Sequence, residues 1–181
     1  CDVIGTHPMF GPTVKGLNRQ TVVLCPARGK KWFPWLKNLL EKKGAEVIES
    51  DPKEHDKVMS VVQVLKHFET MVMGKTLMDL EVDLKKTLRF TSPIYRLELD
   101  MVGRLFSQEA DLYADIITSN KQREVVLESF NQAVVTLAQS VKKGDRQEFI
   151  HLFKQISNYF QEFKYRAMEE SNYIIDKLVE R

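Results

Sequence analysis

The spacing of hydrophobic and polar residues changes near position 50. Before it, apolar residues come in short runs broken by Gly and Pro; after it, they recur at helical intervals to the end of the chain. Val3-Ile4 predicts a short buried strand ending in a forced loop over Gly5-Thr6-His7-Pro8-Met9-Phe10-Gly11-Pro12, with His7 at the strand tip. Thr21-Val22-Val23-Leu24 predicts a second strand closed by Pro26. Trp32 to Lys43 predicts a helix stopped by Gly44, and Ala45-Glu46-Val47-Ile48 a third strand. Strand, helix, strand is one unit of a doubly wound sheet.

From Asp51 the pattern is helical. Asp51-Pro52-Lys53-Glu54 joins an N-cap, a proline at the first helical position and a glutamate three residues on, and predicts a long helix to about Leu80. A shorter helix is expected over Val82 to Leu88, with Arg89-Phe90-Thr91 as connector. Ser92-Pro93 opens another to Phe106, and further helices follow over Glu109 to Thr118 and Lys121 to Lys143, up to Gly144. Asp145-Arg146-Gln147-Glu148 is a second capping box, expected to open a helix reaching Val179. The fold class read from this pattern is mainly α: a helical part over residues 51–181 preceded by a partial α/β part over 1–50. No internal repeat or low-complexity segment occurs.

Composition narrows the function. The 181 residues suit one domain or one and a half, and 43% hydrophobic with 29% charged residues is ordinary for a soluble globular protein. A net charge of +2, with Lys and Arg dispersed among Asp and Glu, argues against nucleic acid or a membrane surface as partner. No run approaches the ~18 apolar residues of a membrane span. Cys1 and Cys25 read as free thiols of a reducing, cytoplasmic setting rather than as a disulfide framework. A chain that begins with Cys is expected to be a fragment or a processed product; Asp2-Val3-Ile4 reads as a strand edge, not as the tether of a lipid-modified cysteine.

Several positions carry candidate chemistry. A histidine at a strand end can donate, accept or take up a proton near neutral pH, or can simply satisfy nearby backbone groups; His7 is open to both readings. The helix after Asp51 is apolar around most of its circumference (Val58, Met59, Val61, Val62, Val64, Leu65), as expected of a helix buried in a core or between subunits, the latter being easier in a chain this small. Against that background Asp56, Ser60, Gln63 and His67 fall on one face at 100° per residue. Such a stripe must meet a polar network, a water pocket or a ligand. Arg96 and Arg104 lie about 80° apart on one helix. A guanidinium there suits a bidentate carboxylate, and Glu98 and Asp100 are its intramolecular alternatives. Tyr113 offers a ring and a hydroxyl, with a core position as the alternative. Phe149, Phe153, Ile156, Phe160 and Phe163 recur at helical spacing and read as packing. No metal site is expected, because His7, His55, His67 and His151 show no ligand spacing with Cys or carboxylates.

The string Gly5-Thr6-His7-Pro8-Met9-Phe10-Gly11-Pro12 resembles the signature of the prephenate/arogenate dehydrogenases of tyrosine biosynthesis. Ser92-Pro93-Ile94-Tyr95-Arg96-Leu97-Glu98-Leu99-Asp100-Met101-Val102-Gly103-Arg104-Leu105-Phe106 resembles the same family, in particular the dehydrogenase part of the bifunctional chorismate mutase/prephenate dehydrogenases. Glu54-His55-Asp56, Lys66-His67-Phe68 and Leu112-Tyr113-Ala114-Asp115-Ile116 follow the family's order. The resemblance runs over nearly the whole chain and loosens after about Lys142.

It implies an NAD- or NADP-dependent oxidative decarboxylation of prephenate to 4-hydroxyphenylpyruvate, with arogenate as the alternative substrate. His7 would be the catalytic base, Arg104 would hold the ring carboxylate, and His67 would contact the pyruvyl side chain with Gln63, Tyr113 and Arg96 nearby. Asp56 would reach toward a partner subunit's site, since the family's helical domain dimerises, and Pro8 and Met9 would touch the cofactor. Residues 1–50 would then be the end of a dinucleotide-binding domain of Rossmann type, and 51–181 the dimerisation and substrate-binding domain. Feedback inhibition by tyrosine is usual in the family. Two features depart from its pattern: Thr13 and Met101 stand where some members carry the carboxylates that gate the arginine, so no ion-pair gate is carried over. No Gly-x-Gly-x-x-Gly turn occurs in the chain, so the pyrophosphate cradle is missing from it. By itself the chain is therefore expected to be inactive, a dimerisation and substrate-binding module.

Overall fold

The computed structural model describes residues 1–180 in two compact units, Cys1–Val62 with Asn120–Gln122, and Gln63–Ser119 with the residues from Arg123 onward. In the first unit β1 (Val3–Pro8), β2 (Thr21–Arg28) and β3 (Glu46–Glu49) form a sheet in the order β1-β2-β3. Helix α1 (Phe33–Lys42) connects β2 to β3, which pair in parallel, whereas β1 runs antiparallel to β2. Central β2 is the continuous apolar run expected of a strand covered on both faces. Its Val22, Val23, Leu24 and Cys25 are all buried, Leu24 completely at 0% exposure.

Alternation along β2 sorts the two faces. Val22 and Leu24 pack with Ala45 against Phe33, Leu36 and Leu40 of α1. Val23 and Cys25 point the other way, toward α2 (Pro52–Met59), whose Met59 is buried. Gly44 ends α1 at φ +87°, where an L side chain is strained, and a Cβ there would stand 2.9 Å from Asn18 Oδ1 and force it to shift.

Two strand expectations are corrected. β1 extends four residues past Ile4 and is not buried: it is an edge strand, and Val3 is exposed. His7 consequently lies inside the ladder, opposite Val23, rather than at a strand tip. β2 also runs through Pro26, which sits opposite Ile4 at an irregularity in the β1 register and beyond Leu24, the last residue paired with β3. A missing N–H is tolerated at such a position.

The capping signals are accurate. Asp51 accepts from the backbone N–H of Lys53 and Glu54 at the start of α2, Ser92 from that of Tyr95, and Asp145 from those of Gln147 and Glu148. The single helix expected from Asp51 to Leu80 is instead α2, a π-helical stretch over Ser60–Leu65, and α3 (Lys66–Asp79). The unit boundary falls within the π-helical stretch.

The second unit continues through α4 (Leu84–Arg89), α5 (Pro93–Phe106), α6 (Ala110–Ser119), α7 (Arg123–Lys143), α8 (Arg146–Phe160) and α9 (Phe163–Val179). The helix expected from Asp145 to Val179 is thus two, broken at Gln161, which adopts φ +44°. Helix α5 packs on α3 and α9, and Gly74 of α3 makes room for the Phe106 ring, which a Cβ would strike. Val64, Val102 and Leu105 are buried here, but much apolar surface is not: Met78, Leu80, Ile94 and Phe90, the last 82% exposed, face outward. The helix after Asp51 is likewise not enclosed by its own chain, since Val58, Val61 and Val62 are exposed. Nor do the late aromatics form an interior. Phe149, Phe153, Ile156 and Phe160 line an open apolar groove of about 560 Å³, and Phe160 stacks on Phe163. Among the described residues no helix is long and apolar enough to cross a membrane.

Candidate functional site

Strand alternation decides where His7 points. Opposed residues of an antiparallel pair share a face, so His7, paired with Val23, lies on the α2 side of the sheet. The Asp51 cap and Pro52 start α2 so that His55 falls in its first turns, on the helix that covers this face. The two rings meet edge to face, with His7 Nδ1 2.8 Å from His55 Nε2. His55 Nδ1 in turn lies 3.1 Å from Asp56 Oδ1. The Asp56 backbone carbonyl accepts from the Asn120 side-chain amide at 2.9 Å.

His55 is therefore a functional candidate that sequence reasoning passed over. Its only signal was its place in Glu54-His55-Asp56, and a pairing across 48 positions leaves no periodic trace. Asp56, expected to reach toward a partner, bonds His55 in its own chain. Partial burial lowers the pKa of His7 below the ordinary histidine value, and His55 beside it lowers it further, so the ring is neutral at neutral pH. On the same face Met9, Val23, Ile48, His55 and Val58 line a cavity of about 280 Å³, apolar apart from His55, Thr21 and Ser50. Buried Cys25 is a weak acid here: burial raises its thiol pKa, and Asp51 and Asp56 raise it further.

In the second unit His67 of α3 and Tyr113 of α6 meet edge to face, ring centroids 4.8 Å apart. Partial burial lowers the His67 pKa, and adjacent Lys66 adds to the effect, so this ring too is neutral. Arg96 and Arg104 stand exposed on α5. Arg104 has apolar neighbours in sequence but no apolar surroundings: Met101 and Phe106 are themselves exposed, and Val102 and Leu105 turn to the other side of the helix. Arg96 makes no ion pair among the described residues, so neither Glu98 nor Asp100 neutralises it.

The polar stripe is revised as well. Its alignment assumed 100° per residue, and the i→i+5 bonding of the π-helical stretch turns the chain less at each residue. Ser60 is buried and donates to the Lys57 carbonyl at 2.7 Å, a local helix bond. Gln63 is half-buried within the π-helical stretch. Among the described residues no cluster of His, Cys, Asp or Glu is placed to hold a metal ion.

A partial α/β sheet bearing a half-buried histidine pair, together with helices rich in uncovered apolar surface, makes a mainly α fold with part of a Rossmann-type sheet. The chain belongs to the prephenate dehydrogenase family: the family model for the prephenate dehydrogenase dimerization domain matches residues 51–155. It is 40% identical over 161 residues to a probable arogenate/prephenate dehydrogenase of Methanocaldococcus jannaschii, covering 87% of this chain and 36% of that one. It is 35% identical over 175 residues to the T-protein of Haemophilus influenzae, covering 97% of this chain and 46% of that one. The chain thus spans less than half the length of these curated relatives. In fold it is similar to prephenate dehydrogenase from Aquifex aeolicus in complex with hydroxyphenyl propionate and NAD+, with TM-score 0.68 and 24% identity over 92% of this chain and 58% of that one.

Proposed function

We propose that this chain supplies the catalytic histidine and the substrate-binding, dimerising helices of an NAD-dependent prephenate dehydrogenase of tyrosine biosynthesis, acting together with a nucleotide-binding half. The observation that carries this reading is His7: a half-buried histidine within the family's signature string, held neutral at neutral pH. Aromatisation drives the reaction, and the protein must take up the proton of the ring hydroxyl as the carbon bearing it is oxidised. His7 accepts that proton, and the ring oxygen regains a proton once carbon dioxide has left and the ring is aromatic. NAD, when bound, supplies the hydride acceptor. Residues present fit only its ring end: Met9 lines a ring-sized apolar cavity beside His55, Pro8 precedes it, and the chain has no glycine-rich turn for the pyrophosphate. NADP would serve the same chemistry.

Arg104 holds the ring carboxylate through its planar fork, and Arg96 adds positive charge on the same helix. His67, oriented by Tyr113, contacts the pyruvyl side chain with Gln63 near it. Residues 51–181 form the dimerisation and substrate-binding domain of this proposal and 1–50 the end of the nucleotide-binding domain. By itself the chain is a dimerising, substrate-binding module without turnover. Its surface supports the dimer: the helices leave large apolar side chains uncovered, Met78, Leu80, Phe90 and Ile94 among them. The enzyme is cytoplasmic, and tyrosine acts as its feedback inhibitor.

The pH profile tests the role of His7. The base works only when neutral, so kcat/KM for prephenate in the complete enzyme falls as pH drops through the pKa of His7. Because burial and His55 lower that pKa, the acid limb is expected below the ordinary histidine value of about 6.5. A limb centred above that value contradicts a histidine held neutral by its surroundings.

A further inference from the structure

His55 and Asp56 face no substrate in the proposal above, yet His55 contacts the proposed base directly and Asp56 contacts His55. We infer that Asp56, acting through His55, fixes the tautomer of His7 so that its Nε2 is the unprotonated, proton-accepting nitrogen. The inference rests on the reading of His7 as base, but its first test does not.

The argument is one of donors and acceptors. An ionised carboxylate only accepts, so at the 3.1 Å contact His55 Nδ1 must carry the hydrogen. Neutral His55 then has its lone pair on Nε2. At the 2.8 Å contact His7 Nδ1 must therefore be the donor. A neutral imidazole has one N–H, so Nε2 of His7 is left as an acceptor. Histidine in water favours the opposite tautomer, with the hydrogen on Nε2, in which that nitrogen can take up no proton. The pair His55–Asp56 thus selects the less common form.

Uptake of the substrate proton breaks the hydroxyl O–H bond and makes an Nε2–H bond. The positive charge formed on His7 is met through Nδ1–H by His55, and through His55 by Asp56, which stays ionised. His55 and Asp56 are positioning residues in this scheme. Other titratable groups by this face include the Asp51 carboxylate at the cap of α2, Glu46 of β3, which alternation puts on the side of Ile48, and the Cys25 thiol of β2, which burial and the Asp51 and Asp56 carboxylates keep protonated. Asp51 adds negative charge of the same sign as Asp56 and is already engaged with the Lys53 and Glu54 amides.

Long-range 1H–15N correlation spectra of this chain with labelled histidine, recorded well above the ordinary histidine range, read the tautomer directly. His7 is expected to carry its hydrogen on Nδ1 and His55 likewise. In Asp56→Leu and His55→Phe the hydrogen of His7 is expected to move to Nε2. A wild-type His7 protonated at Nε2, or a tautomer unchanged in folded Asp56→Leu, overturns the inference. In the complete enzyme Asp56→Leu should lower kcat about ten- to a hundredfold with KM nearly unchanged, as loss of an orienting partner does. Asp56→Glu, which restores a carboxylate, should recover most of it; equal loss in both variants also overturns the inference. If the tautomers are as stated but neither prephenate nor arogenate is turned over, the assignment of function fails and the tautomer relay stands.

Discussion

Replacing His7 by alanine in the complete enzyme is expected to lower kcat by about a hundred- to ten-thousandfold while changing the KM for prephenate little, the loss typical of removing a general base. The reason lies in what His7 does and what it does not do. In the proposed reaction it takes the hydroxyl proton only as the ring carbon is oxidised, so its contribution would appear in the transition state and hardly in substrate binding. Its removal also leaves the fold nearly intact, because His7 sits on an edge strand whose ladder is made by backbone groups and whose core-facing residue is Ile4. Steady-state kinetics with prephenate measure both parameters. A variant with a much raised KM and an unchanged kcat would make His7 a binding residue.

Arg104→Ala is expected to show the opposite signature. A bidentate, charge-assisted contact with a carboxylate contributes roughly 1.5–3 kcal/mol, so its loss should raise KM on the order of ten- to a hundredfold with a smaller fall in kcat. The geometry permits this because Arg104 projects from the exposed side of α5, opposite the buried Val102 and Leu105 that anchor the helix. Truncation therefore leaves the packing of α5 alone. Arg104→Lys should restore only part of the affinity, since an ammonium keeps the charge and loses the fork. Similar losses from His7→Ala and Arg104→Ala in the same kinetic parameter would contradict this division of labour.

The local grammar of the chain was legible and its non-local pairings were not. Asp51, Ser92 and Asp145 announced helix starts because a cap is a contact between near neighbours, and Gly44 and Gly144 marked helix ends because both adopt positive φ. Gln161 breaks the last helix without a glycine or proline to signal it, so the sequence reads straight through. The π-helical stretch Ser60–Leu65 is equally silent, since its Val-rich run suits any helix, and it undoes a face drawn at 100° per residue. β1 was shortened to Val3-Ile4 because its extension is set by pairing with β2, which Gly5 and Pro8 conceal. Among the candidate residues, His7, His67, Tyr113 and Arg104 are legible one by one. His55 is not, because its meaning comes from the alternation that turns His7 toward α2 and from the cap that places His55 opposite it.

The exposed apolar side chains of the helix after Asp51 fit the same logic. A helix apolar all round signals burial without saying by what, and Val58, Val61 and Val62 are not covered by their own chain. The family match to a dimerization domain is in keeping with a second copy as the cover.

The account is tested most directly by NADH formation in the complete enzyme with prephenate and with arogenate as alternative substrates. The predicted result is NADH and 4-hydroxyphenylpyruvate in equal amounts from prephenate, at a higher kcat/KM than for arogenate, and no turnover by this chain alone. Faster turnover of arogenate would assign the site to the amino-bearing substrate. NADH formation from neither compound by a folded, dimeric enzyme would contradict the account.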